Sequence, residues 1–221
     1  MDTRSLQTLL ARVKGLVFDL DGTLLDSEKY HGLAFAAAMR EVAGYELTEA
    51  EKSEFVGNTT LNFASQLAAR HALALSPPAV LERKHEVMRE IFRAALFPGV
   101  QAFLDCWRNR VPMAVATNSA RAFVESALNA THVRERFSAV LTIDDVASRK
   151  PDPEIILKTL QQLGTPAETT LVFEDTRVGI EAARAAGCPA VLVQTGPDSF
   201  RAPLPPDQTA YTWTELLRLS P

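Results

Sequence analysis

FDLDGTLLDSE, residues 18–28, overlaps an apolar run that begins VKGLV at residue 13. Asp19 and Asp21 stand two apart at the end of that run, so on an extended strand both carboxylates point to the same side. Gly22 and Thr23 then let the chain turn away. Two carboxylates this close repel one another unless one is protonated or a cation lies between them. A hard cation such as Mg2+ answers that problem, because it takes carboxylate and carbonyl oxygens. In isolation the same letters also describe a strand-end turn with two capping aspartates, so the rest of the chain has to decide.

Four further apolar runs follow the one at residues 13–20: residues 112–119 (PMAVATNS), 138–145 (SAVLTIDD), 169–175 (TTLVFED) and 189–195 (PAVLVQT). They are almost continuously apolar rather than alternating, which suits strands of a parallel sheet covered on both faces. Helical patterns at residues 120–129, 153–163 and 177–186 lie between them, and Gly164 and Gly187 stop the last two. Alternating strand and helix predicts a doubly wound α/β domain, whose ligands bind beyond the carboxyl ends of the strands.

The alternation fails between the first two strands. Residues 28–96 carry helical periodicity instead, with Phe35, Ala38, Met39 and Val42 in one stripe and Leu81, Met88, Phe92 and Ala95 in another. Ser76-Pro77 reads as an N-cap followed by proline at the first helical position. The expected organisation is a core of residues 1–27 and 97–221 interrupted by a small α-helical cap at 28–96. The proline-rich residues 196–208 read as a surface loop before a last short element at 210–219.

The other strand ends are as polar as the first. Thr117-Asn118-Ser119 closes the second strand where a helix opens, offering hydroxyls and free backbone N–H groups to an anion. Lys150 stands in RKPDP after the third strand, and Glu174-Asp175 ends the fourth. Each is ordinary alone: caps, a surface lysine, a buried acid. Together they place three metal-binding acids, a lysine and a hydroxyl/amide cradle at one pole of a parallel sheet, which is the equipment of phosphoryl transfer.

In this conjunction the chain resembles the haloacid dehalogenase superfamily of phosphohydrolases, which has a Rossmann-like core. The nearest branch carries a small helical cap and includes phosphoglycolate phosphatases, other sugar-phosphate phosphatases and β-phosphoglucomutases. The resemblance rests on FDLDGTLLDSE, TNS, Lys150 and FEDTRVGIEAARAAG in order, and covers nearly the whole chain. It implies that Asp19 is the nucleophile and Asp21 the general acid and base. Asp19, the backbone carbonyl of Asp21, and Asp175 would hold Mg2+, with Glu174 a further ligand or a supporting partner. Thr117 and the Asn118 amide, with Ser119 beside them, would hold phosphoryl oxygens, and Lys150 would offset the crowded charge. Asp21 also disfavours dehalogenation, because the superfamily's dehalogenases have no acid there and use no metal.

Family comparison assigns substrate choice to the cap: Asn58, Thr59 and Thr60 after Phe55-Val56-Gly57, with Tyr30 and His31. β-Phosphoglucomutases carry an arginine near Thr60 for a second phosphate, so Thr60 favours a phosphatase; Arg121, Arg149 and the cap lysines remain as other cations for that role. The Tyr30-His31 pair resembles one in the mutases and keeps a sugar-phosphate mutase as the alternative. His71, His85 and His132 share no ligand spacing and read as surface or packing residues.

Composition narrows the partners. The 221 residues are 47% apolar and 23% charged, ordinary for a folded domain, and 23 Lys+Arg against 27 Asp+Glu give a net charge of −4. With no Lys/Arg block, nucleic acid and anionic membrane are not expected partners. A small phosphorylated metabolite is, with the metal supplying the attraction. Cys106 and Cys188 lie outside any paired spacing and read as reduced thiols of a cytoplasmic protein, expected to be a monomer or weak homodimer.

Overall fold

A computed structural model describes residues 2–55, 58–195 and 209–220, so Val56-Gly57 and the loop expected at 196–208 lie outside the described residues. The chain divides into two units. Residues 1–26 and 94–221 form an α/β core and 27–93 a helical unit. The expected exit from the cap at 96 is corrected to 93. Residues 94–97 belong to the core because Asp26 N donates to Ala95 O (3.0 Å) and Phe97 N to Leu24 O (3.0 Å).

In the core, α1 (Thr3–Leu10) precedes β1 (Gly15–Phe18), which runs into the acidic turn. The helical unit comprises α2 (Glu28–Ala43), α3 (Glu49–Phe55), α4 (Thr60–His71) and α5 (Pro77–Ile91). The core resumes with α6 (Val100–Trp107), β2 (Met113–Ala116), α7 (Arg121–Ala130), β3 (Ala139–Leu141) and α8 (Glu154–Leu163). It ends with β4 (Thr170–Glu174), α9 (Arg177–Ala185), β5 (Ala190–Val193), β6 (Ala210–Tyr211) and α10 (Trp213–Leu219). Each strand is shorter than its apolar run. The run at 138–145 loses its last residues to a 3-10 turn at Ile143–Asp145, which Thr142 caps through the Asp144 N–H.

The sheet order is β3-β2-β1-β4-β5-β6, parallel throughout. The order reverses between β1 and β4, which is where a doubly wound sheet opens a ligand crevice. Register explains the unbroken apolar runs. Val17 and Val172 turn to one face and pack with Ile155, Ile156, Ala182 and Ala183. Phe18 and Phe173 turn to the other and stack at 5.0 Å with Phe103 and Trp213 around them. Burying each such side chain contributes about 1.5–3 kcal/mol, so a register slip would forfeit both layers at once.

In the helical unit, Phe35 stacks on Phe55 at 4.2 Å, among Ala38, Met39, Phe63, Leu67 and Val80. The first expected stripe is buried there apart from Val42, which is only part-buried against it. Of the second, Met88 is buried as expected, and the rest differs. α5 buries Val80, Lys84, Val87 and Met88, while Leu81 stays half exposed and Ala95 falls beyond the helix. Pro77 does begin α5, yet Ser76 makes no side-chain cap bond. No helix among the described residues is long and apolar enough to cross a membrane.

Candidate active site

The site grows from the end of β1. Past Phe18 the ladder continues for one bond, Asp19 N to Phe173 O at 2.9 Å, which ties Asp19 to the β4 end that carries Glu174 and Asp175. The chain then folds back tightly, with Leu24 N and Leu25 N both on Leu20 O (2.9 Å each). Gly22 holds φ +77° in this turn, and a Cβ there would lie 2.2 Å from Asp175 Oδ2. Only glycine meets both conditions. Thr23, fully buried, donates its hydroxyl to Asp175 Oδ1 at 2.9 Å, and Thr195 at the end of β5 donates to Gly22 O at 2.9 Å.

Lys150 is 4% exposed, and its ammonium is the hub of the site. It reaches Asp19 Oδ1 and Ala116 O, each at 2.7 Å, and forms a very short contact with Glu174 Oε1. Glu174 is fixed from its other side by Thr176, whose hydroxyl donates to Oε2 at 3.0 Å while accepting Gly179 N at 3.2 Å as the α9 N-cap. Gly179 is required by close approach, since a Cβ there would lie 1.8 Å from the Glu174 carboxyl carbon.

Carboxylate oxygens of Asp19, Glu174 and Asp175, all buried, lie within 4.8 Å of one another. Burial drives the Asp19 carboxyl well above the usual range, against the pull of Lys150, and the Glu174 and Asp21 charges push it further. Burial also acts to discharge Lys150, but Asp19 and Glu174 outweigh it and hold the ammonium charged above its ordinary value. Both directions follow from one deficit: two buried acids, Asp19 and Glu174, share a single lysine. An all-oxygen, over-charged donor set of this kind fits Mg2+.

The carboxylate of Asp21 is outside that cluster. Ser119 donates its hydroxyl to Asp21 Oδ2 in a short bond, and the backbone carbonyl of Asp21 is the group the family resemblance gives to the metal. Asn118 uses its side chain to clasp the Lys150 backbone, accepting Lys150 N at 3.1 Å and donating to Lys150 O at 3.5 Å. Thr117 is buried, with its N–H on Leu141 O (3.0 Å) and its hydroxyl accepting Ser119 N (3.1 Å). One expectation is corrected. α7 begins at Arg121, and its first N–H is already taken by Asp144 Oδ2 at 2.8 Å, so the Thr117–Ser119 stretch is a loop and not a helix start. The sequence reading missed Thr23 and Thr176. A hydroxyl one or two steps past an acid at a strand end was the available signal.

Residues 16–193 match the sequence profile of the family described as haloacid dehalogenase-like hydrolase. The chain belongs to that family. Its curated relatives include the fructose-1-phosphate phosphatase YqaB of Escherichia coli K12, 35% identical over 187 residues that span 83% of this chain and 97% of that one. The phosphoglycolate phosphatase of the same strain is 32% identical over 210 residues, spanning 83% and 82%. Among solved structures, a candidate β-phosphoglucomutase from Thermotoga maritima superposes with a TM-score of 0.76 at 28% identity, covering 94% of this chain and 98% of that one.

As a haloacid dehalogenase-like hydrolase, the chain gathers Asp19, Asp21, Thr117, Asn118, Ser119, Lys150, Glu174 and Asp175 at the carboxyl ends of β1, β2 and β4 and in the loop after β3. His31, Asn58, Thr59 and Thr60 belong to the helical unit. There Thr59 caps α4 through Asn62 N (3.2 Å), Asn58 donates to Glu54 O (2.8 Å), and Thr60 is buried. His31, on α2, is half-buried. Arg121 is committed elsewhere, to Asp145, to Glu125 at 3.5 Å and to Val140 O at 3.2 Å. Arg149 is exposed. Cys106 and Cys188 are free thiols, and burial with the Glu168 charge pushes Cys188 up to about 11.

Proposed function

We propose that this hydrolase is a Mg2+-dependent phosphatase of a small phosphorylated metabolite, a sugar phosphate or a phosphoglycolate-like ester. The observation that carries the reading is the crowding of the Asp19, Glu174 and Asp175 carboxylates, with Lys150 bridging the first two. Mg2+ held by Asp19, Asp175 and the Asp21 carbonyl, with Glu174 as further ligand or support, would supply the charge that lets an anionic ester approach three acids. Asp19 attacks phosphorus and takes the phosphoryl group as an aspartyl-phosphate. Asp21 gives its proton to the departing alkoxide, then takes one from the water that splits the aspartyl-phosphate and frees phosphate. Thr117 Oγ1 and the Asn118 N–H hold phosphoryl oxygens, while Lys150 balances their charge. Asn58, Thr59, Thr60 and His31 are the residues assigned to choosing among esters. The names of the two curated phosphatase relatives support the ester class, and the free thiols agree with a cytoplasmic setting, as monomer or weak homodimer.

A panel of phosphorylated metabolites that includes fructose 1-phosphate and phosphoglycolate tests this by release of inorganic phosphate with Mg2+ present. Silence across the panel would overturn it. The alternative is a β-phosphoglucomutase-type mutase, kept by His31 and the Thermotoga likeness and weakened by a Thr60 without charge and an Arg121 already paired. Isomerised sugar phosphate from β-glucose 1-phosphate with a trace of the bisphosphate would favour it, and free phosphate would exclude it.

A further inference from the structure

We infer that Ser119 is the positioning residue of the general acid, holding Asp21 in the place from which it protonates the leaving oxygen. The inference rests on the phosphatase reading. A general acid works only when its proton lies within hydrogen-bond reach of the oxygen it serves, and a displacement of about 1 Å can cost about 100-fold. Asp21 sits on a turn, half-buried, one step before Gly22, so its side chain needs an outside support. Ser119 supplies one from a neighbouring strand end, 98 residues away, by donating to Oδ2. The post is itself fixed at both ends of its residue: Ser119 N donates to Thr117 Oγ1 at 3.1 Å and Ser119 O accepts Ile143 N at 3.3 Å.

The chemistry of the support matters as much as its place. A hydroxyl carries one proton and two lone pairs. It can donate to the carboxylate and still accommodate the protonated acid, so Asp21 can gain and lose a proton without losing its hold. An arginine or lysine there would favour the ionised form and deprive the leaving group of its acid. The hydroxyl that the sequence reading gave to substrate phosphate is thus spent on Asp21.

The test compares two esters by kcat/KM, which covers the steps up to departure of the leaving group. One is a sugar phosphate that the wild type hydrolyses, whose alkoxide needs a proton; the other is p-nitrophenyl phosphate, whose phenolate leaves without one. Ser119→Ala should lower kcat/KM roughly 10- to 100-fold for the sugar phosphate and less than about threefold for the aryl ester. Ser119→Thr should restore most of the loss. In an Asp21→Asn background, which should show the same ester selectivity, Ser119→Ala should add nothing further. Equal losses on both esters, carried by KM, would make Ser119 a phosphate-binding residue and overturn the inference, as would no loss on either. If the wild type hydrolyses neither ester, the phosphatase reading itself falls; if Asp21→Asn is selective and Ser119→Ala is not, only the present inference does.

Discussion

Two buried carboxylate sites, one in each unit, differ in how their charge is met. In the helical unit, Glu51 stands alone and is fully attended. Tyr45 donates to Oε1 (3.0 Å), Thr48 donates both its N–H (2.9 Å) and its hydroxyl (2.8 Å) to Oε2, and His71 Nε2 lies 2.7 Å from Oε1. Burial works to raise its carboxyl, but these donors win and hold it down at about 2. At the core pole, Asp19 and Glu174 divide one ammonium beside Asp175, and Asp19 is raised. A buried carboxylate is a structural knot where neutral donors and one histidine attend a single acid, and a crowded site where three acids lie together beside one cation.

Substitution should separate the two most sharply at Asp19. Asp19→Asn is expected to cut phosphate release by at least about 1,000-fold. In chelator its thermal midpoint should hold or rise, by up to roughly 4 °C, because crowding is relieved. The pH sign follows. A carboxyl raised in the folded state contributes stability below its ordinary value of 3.8 and loses it as pH rises. The variant's advantage in chelator should therefore grow with pH. A midpoint well below wild type at neutral pH would mean that Asp19 is a structural partner like Glu51.

Gly179→Ala comes next. The new methyl meets Glu174 in a buried place, so a cost of about 3 kcal/mol is expected, with loss of turnover as Glu174 and Lys150 shift. A denaturant midpoint unchanged within error would show that the pole is not close-packed. EDTA should then abolish turnover, and restored Mg2+ at 100 times its Kd should stabilise the protein by about 2.7 kcal/mol; calorimetry showing no shift would remove the cation from the comparison.

The smallest effect on turnover belongs to the knot. Glu51→Gln should leave kcat nearly unchanged and cost about 2 kcal/mol, or roughly 4–8 °C, at neutral pH. Here the sign is reversed. A carboxyl lowered to about 2 gives stability that is present above its ordinary 4.5 and disappears as pH falls toward 2. Wild type and variant should converge over that interval in circular-dichroism melts, and a constant gap down to pH 2 would break the contrast.

Much of the core was legible because its signals are local. The DxD spacing, the apolar runs and the glycine stops each depend on a few consecutive residues and on strand or helix periodicity. The helical unit was legible as helices, but in α5 Val80 and Val87 join Met88 on the inner face and Leu81 does not. An amphipathic stripe with apolar residues on two adjacent rows does not state which row packs. Glu51 escaped notice because nothing near it in sequence marks His71, 20 residues on, as its partner.

By itself the sequence determined that acids, hydroxyls and one lysine follow successive parallel strands, and so pointed to phosphoryl-transfer chemistry at one pole of the sheet. It also settled why glycine stands at position 22 in outline, as a turn. Only the tertiary structure decided the partners: Thr23 on Asp175 across 152 residues, Asn118 on the Lys150 backbone across 32, and Ser119 on Asp21 across 98. The physical reason lies in the strand order. Putting β1 between β2 and β4 makes neighbours of residues that the chain keeps far apart, and a hydrogen bond is formed by distance in space, to which spacing along the sequence gives no guide.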